Sequence, residues 1–120
     1  MLLALGGLLG TAGRYALVSA TQRWLGPSFP YGTLAVNGIG CLAIGFLSGV
    51  AERRAFLTPD ARLFWMVGLL GAFTTFSAFI YESWGLWQAG QRFLALVNLQ
   101  GSLLVGLLML WIGSKLGALL

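Results

Sequence analysis

The chain has no histidine, only three acidic residues and a single cysteine, so most of the side chains that perform covalent or acid–base chemistry are missing. No two carboxylates share an apolar stretch and no cysteine stands near a base. Nucleophilic and general acid–base catalysis therefore have no set of residues to use, and the chain reads as a non-enzyme. One cysteine, Cys41, excludes an intrachain disulfide and a thiolate metal site; inside an apolar run it reads as a small buried hydrophobe. Charge is equally scarce. Charged residues make up 8% of the 120 positions, and the few Lys and Arg residues behind the net charge of +4 are too scattered to form a nucleic-acid footprint. The N-terminus lacks a basic region ahead of its first apolar stretch, which runs on past Arg14, so a cleaved signal peptide is a poor reading.

What remains is apolar. Hydrophobic residues reach 58%, far outside the range of soluble domains, and a helix needs about 20 mostly apolar residues to cross a bilayer core. Four crossings with short links use nearly the whole chain, which implies one all-α transmembrane domain over residues 1–120. The first helix is expected over residues 2–22, ending before Arg23 and the turn Gly26-Pro27-Ser28-Phe29-Pro30, where proline cannot continue a helix. The second is expected over 31–51. Glu52-Arg53-Arg54 and Thr58-Pro59-Asp60 then form a polar loop, with Thr58 or Asp60 as the cap of a third helix extending to 87. Residues 88–92 form a short link, and the fourth helix is expected over 93–116.

Eighteen glycines lie mostly inside these spans. In lipid, small residues four apart let backbones approach closely, so Gly6/Gly10, Gly45/Gly49 and Gly113/Gly117 mark tightly packed helix faces. Topology should follow the Lys/Arg bias of the loops. With a cytoplasmic N-terminus, Arg53, Arg54, Arg62 and Lys115 lie on that side, and Arg23 and Arg92 on the other. So slight a bias is compatible with insertion in both orientations and hence with an antiparallel pair of identical subunits. Four short helices enclose little interior, which also favours an oligomer.

Polar groups within spans are costly unless paired or facing water. Arg14, in mid-helix, is badly placed to snorkel and reads as buried or facing a vestibule. Asn37 offers two N–H donors suited to an anion, with an interhelical hydrogen bond as the ordinary alternative. The third span contains Gly71 followed by the β-branched pair Thr74-Thr75 among clustered aromatics, a poor continuous helix, so a break over 71–75 is expected. A break frees backbone carbonyls, which membranes tolerate where they are buried in protein or coordinate an ion. Beyond it, Phe76 and Phe79 share a face. Their spacing is ordinary for packing, but ring edges carry partial positive charge and can stabilise a small anion without a fixed cation. Glu82 continues that face near the helix end, where a solvated carboxylate is the simplest role. In the fourth helix, Asn98, Ser102 and Gly106 draw a polar, small stripe that can line a pore or join helices.

Three stretches carry a resemblance. The run Gly6-Gly7-Leu8-Leu9-Gly10-Thr11-Ala12-Gly13-Arg14-Tyr15, the run Gly32-Thr33-Leu34-Ala35-Val36-Asn37 with Gly40, and above all Gly71-Ala72-Phe73-Thr74-Thr75-Phe76-Ser77-Ala78-Phe79 resemble, in this order, the small bacterial fluoride channels of the Fluc (CrcB) family. The resemblance spans the whole chain. It implies a fluoride-selective channel of the inner membrane, assembled as an antiparallel, dual-topology homodimer with two pores. Phe76 and Phe79 would be the pore phenylalanines, Asn37 the pore amide and Ser102 part of a polar track. Arg14 would stand at a vestibule and Glu82 at a pore end. Backbone carbonyls of Gly71 and Thr74 from both subunits would hold one central structural sodium ion, a hard cation suited to oxygen ligands. The chain departs from the family's pattern at Ala78, where threonine is common.

Two other readings compete. A small dual-topology multidrug exporter has similar length and helix count but needs a membrane-embedded carboxylate for proton exchange, whereas the first helix here carries Arg14 and Glu82 lies near a helix end. A noncatalytic assembly subunit would need only the glycine faces; the expected break in the third span argues against it.

Overall fold

The computed structural model describes residues 1–53 and 57–120, and every regular element among them is helical. Arg54, expected in the loop after the second helix, lies outside the described residues. Helix α1 (Leu2–Leu25) runs three residues beyond the expected end. It stops where Gly26 turns to φ +77°, a left-handed angle that glycine adopts at little cost, with Pro27 and Pro30 just beyond. Helix α2 comes next (Tyr31–Arg53).

The third span is composite. Its first helix, α3 (Pro59–Arg62), is capped by Thr58, whose hydroxyl accepts the Ala61 N–H at 3.2 Å, with Pro59 at the position where its missing N–H costs nothing. It continues without interruption through wide π-helical turns (Leu63–Leu70) into α4 (Gly71–Phe73). The chain then leaves the helix for two residues. Thr74 (φ −80°, ψ 158°) and Thr75 (φ −151°, ψ 119°) are extended, and α5 (Phe76–Gln88) starts afresh. The break expected over 71–75 thus falls at the threonine pair. The π-helical turns have no counterpart in the sequence reading, because nothing in the apolar run 63–70 distinguishes wide turns from ordinary ones. Helix α5 closes at Gly90 (φ +80°), with the Gly90 N–H bonded to the Trp87 carbonyl at 3.1 Å and the Gln91 N–H to the Leu86 carbonyl at 2.9 Å, a glycine-terminated Schellman cap. Helix α6 (Arg92–Gly117) is the fourth span.

All four spans are long and apolar enough to cross a membrane. The 24 residues of α1 alone reach about 36 Å at ~1.5 Å per residue, more than a hydrocarbon core of about 30 Å. Burial is inverted relative to a soluble protein. The core among the described residues is Val36, Leu70, Phe79 and Ala95, while Leu8, Leu104 and Leu107 point outward, as suits a lipid or helix environment.

The glycine pairs set the helix contacts. On α2, Gly45 faces the Leu110 carbonyl and Gly49 the Ser114 carbonyl; on α6, Gly113 and Gly117 face the carbonyls of Leu42 and Phe46. A Cβ at any of the four would strike backbone, so α2 and α6 run in direct main-chain contact along their length. The Gly6/Gly10 pair of α1 plays the same part against Phe64 and Leu69, inside the π-helical turns. All three pairs picked out in the sequence are close contacts. Helix α5 instead meets α2 and α6 through side chains, and there the polar residues gather.

Candidate functional site

The extended residues at the break need partners that a helix would have supplied, and α2 provides them. Asn37 Nδ2 donates to the Thr75 carbonyl at 2.9 Å, while the Thr75 N–H donates to Asn37 Oδ1 at 2.8 Å. The side-chain amide thereby copies the pairing of a neighbouring strand. One of its two N–H hydrogens is spent in this way, so Asn37 takes the interhelical role and keeps a single donor to spare. Thr75 also caps α5: its Oγ1 accepts the Ala78 N–H at 3.3 Å. Thr74 turns its hydroxyl back to the Leu70 carbonyl at 3.0 Å.

The break also strips helical donors from carbonyls. In an unbroken helix the Thr75 N–H would bond the Gly71 carbonyl; here it goes to Asn37, which releases that oxygen. The Thr74 carbonyl receives Arg14 Nη1 at 3.4 Å, a long contact. Arg14 is accordingly half-buried and aimed at the break.

Beside the break lies a groove of about 360 Å³, open along one side, and Asn37, Phe76, Phe79 and Ser102 all line it. Four side chains from α2, α5 and α6 meet there, together with Cys41 and Gly106. Cys41 is half-buried on this wall, not a core residue. The two phenylalanine rings stand 5.8 Å apart at 57°, a tilted pair, but their settings differ: Phe79 is 5% exposed and Phe76 is 72% exposed. Phe79 is thus enclosed by this chain, whereas Phe76 is open.

Glu82 is placed otherwise than expected. It is no solvated carboxylate: it lies half-buried, Thr33 Oγ1 donates to its Oε1 at 2.8 Å, and its Oε2 is buried with no partner among the described residues. It borders a second cavity, of about 220 Å³, between α5 and the 26–30 turn. Glu82 follows Phe79 by three residues on α5, so the two cavities lie one above the other along that helix.

Behind the groove runs a chain of polar groups, buried except for Ser102, which lines the groove. Ser102 Oγ donates to Asn98 Oδ1 at 3.3 Å, Asn98 Nδ2 donates to Ser83 Oγ at 2.8 Å, and Ser83 Oγ donates to the Phe79 carbonyl at 2.8 Å. Sequence reasoning alone does not single out Ser83, Thr33 or Thr75 as site residues. Each has a mark that could find it: Ser83 lies four residues after Phe79, Thr33 four before Asn37, and Thr75 directly before the resumed helix.

Comparison with known proteins agrees along the whole chain. A family model described as "CrcB-like protein, Camphor Resistance (CrcB)" matches residues 1–114. A protein of Nitratidesulfovibrio vulgaris (strain Miyazaki F) named "Fluoride-specific ion channel FluC" is 48% identical over 99% of this chain and 96% of its own length. Proteins of the same name are 45% identical in Dehalococcoides mccartyi, over 100% of this chain and 92% of theirs, and 44% identical in Methylobacillus flagellatus, over 97% and 91%.

Proposed function

The chain belongs to the CrcB-like family, and from that premise we propose that it forms the wall of a pore through which fluoride crosses the membrane down its gradient. It is a multi-pass membrane protein, of the inner membrane in a bacterium, and a channel subunit, not an enzyme. The observation that carries the pathway is the convergence of Asn37, Phe76, Phe79 and Ser102 on one groove from three separate helices.

Fluoride holds its water strongly, and an unpaired ion in low dielectric costs tens of kcal/mol, on the order of its Born energy. Donors have to replace that water without binding so tightly that the ion stays. The groove has such donors: the spare Asn37 N–H, the Ser102 hydroxyl and the positive ring edges of Phe76 and Phe79. Arg14 stands apart at the break, where its charge attracts anions without lodging in the narrow wall, and Glu82 borders the cavity at the far end of α5.

A second, antiparallel copy of the chain completes the pore. The open side of the groove, the exposure of Phe76 and the slight charge bias of the loops all support that assembly, with one groove per subunit giving two pores. The break also suits a sodium ion. The Gly71 carbonyl has lost its helical donor and the Thr74 carbonyl has only the long Arg14 contact, so the donor set fits half of a hard-cation shell, with the same two carbonyls of the second subunit supplying the rest. Such an ion would supply structural cross-linking between subunits, and no transport step depends on it.

Reconstitution into liposomes tests the reading. Vesicles loaded with fluoride should release it rapidly to an ion-selective electrode while chloride-loaded vesicles hold theirs; fast chloride release, or retained fluoride, overturns it. Phe76→Ile and Phe79→Ile keep bulk and remove the ring edge, and each should slow fluoride release; unchanged rates in both remove the rings from the pathway.

A further inference from the structure

The hydrogen positions in the chain behind the groove are fixed by its far end. A backbone carbonyl only accepts, so Ser83 must donate its hydrogen to the Phe79 carbonyl and offers only lone pairs to Asn98. Asn98 must then turn its NH₂ toward Ser83, which leaves Oδ1 facing Ser102. Ser102 in turn must donate to Oδ1. Every member except Ser102 is buried, Asn98 at 2% exposure and Ser83 at 4%, so water cannot rearrange the sequence. The outcome is unfavourable for an anion: with its hydrogen on Asn98, Ser102 presents lone pairs to the groove it lines.

From this geometry, and resting on the fluoride pathway above, we propose that Asn98 is a positioning residue that parks the Ser102 hydrogen until an anion claims it. The parked bond is a poor one, 3.3 Å where O–H···O bonds favour about 2.7–2.8 Å. A bond from the same hydroxyl to an anion is charge-assisted and roughly twice as strong as a neutral one. Rotation about the Ser102 Cβ–Oγ bond therefore moves the hydrogen to fluoride on arrival and returns it to Asn98 on departure. The resting acceptor makes Ser102 a donor that binds only while the ion is present. It also keeps the hydroxyl from the usual alternative of a serine in a helix, a back-bond to the main-chain carbonyl four residues earlier, which here is that of Asn98 itself.

The decisive measurement is a mutant cycle on fluoride release from liposomes. Asn98→Leu and Ser102→Ala should each slow release by a similar factor, roughly three- to tenfold, the size of one hydrogen bond. The double variant should be no slower than either, because Asn98 acts only through Ser102. Ser83→Ala removes one atom, frees the Asn98 amide to turn over, and should slow release in the native background but not in the Ser102→Ala background. That variant keeps the test available should Asn98→Leu fail to insert. Factors that multiply in both double variants mean that Asn98 and Ser83 merely pack α5 on α6, and the proposal fails. Absence of fluoride release from the unmodified protein instead defeats the channel reading itself.

Discussion

Where α2 meets α6, main chain touches main chain, whereas around Thr74 and Thr75 side chains stand in for main chain. Among the described residues, the α2–α6 seam has no polar cross-link at its four glycines; it is held by shape, with each glycine seated on a carbonyl of the facing helix. The break is the reverse. Its backbone is extended and would be unsatisfied in lipid, and it persists because Asn37 supplies both a donor and an acceptor and Thr75 caps the helix that resumes after it. Rigid, anonymous packing on one side of α2 thus supports a chemically specific, irregular segment on the other.

Substitutions can break this contrast. The largest effect is expected at the seam: Gly113→Leu drives a side chain into the Leu42 carbonyl, which cannot step aside, so the cost should exceed the ~1–3 kcal/mol usual for overpacking. The protein should be lost as a monodisperse species in size-exclusion chromatography; normal elution with unchanged thermal stability would mean the helices can part freely. Next comes Asn37→Leu, which keeps volume and leaves the Thr75 N–H and carbonyl unpaired at about 1–3 kcal/mol each. Melting temperature in detergent and fluoride release should fall together, and a drop in release alone would show that the break stands without its amide. The smallest effect sharpens the comparison between neighbours. Gly7 has open space where a Cβ would go, whereas Gly6 abuts the Phe64 carbonyl. Gly7→Ala should be neutral or stabilising by up to ~1 kcal/mol through helix propensity, and Gly6→Ala should destabilise, as thermal melts will read.

The sequence reveals more of the scaffold than of the site. Proline and glycine at 26–30, and the Thr58-Pro59 start, locate helix ends because the chemistry of an end is local. The break is visible in the same way, since β-branched Thr74 and Thr75 weaken a helix wherever they stand. Glu82 reads as solvated in the sequence but is half-buried, held by a hydrogen bond from Thr33, 49 residues earlier on another helix. Asn98 can be placed on a stripe, but its role requires knowing that Ser83 stands across from it.

By itself, then, the sequence determined that this is a membrane protein of four helical spans, about where they start and stop, which faces approach closely, and that the third is interrupted. Those properties come from composition and from spacing along one helix. Only the tertiary structure decided that Asn37 spends an N–H on Thr75, that Phe79 is buried while Phe76 is open, and which way the Ser102 hydrogen points. Each of these depends on the rotation and height of one helix against another, and hydrogen bonds between residues 38 or 49 positions apart leave no periodic trace in the chain.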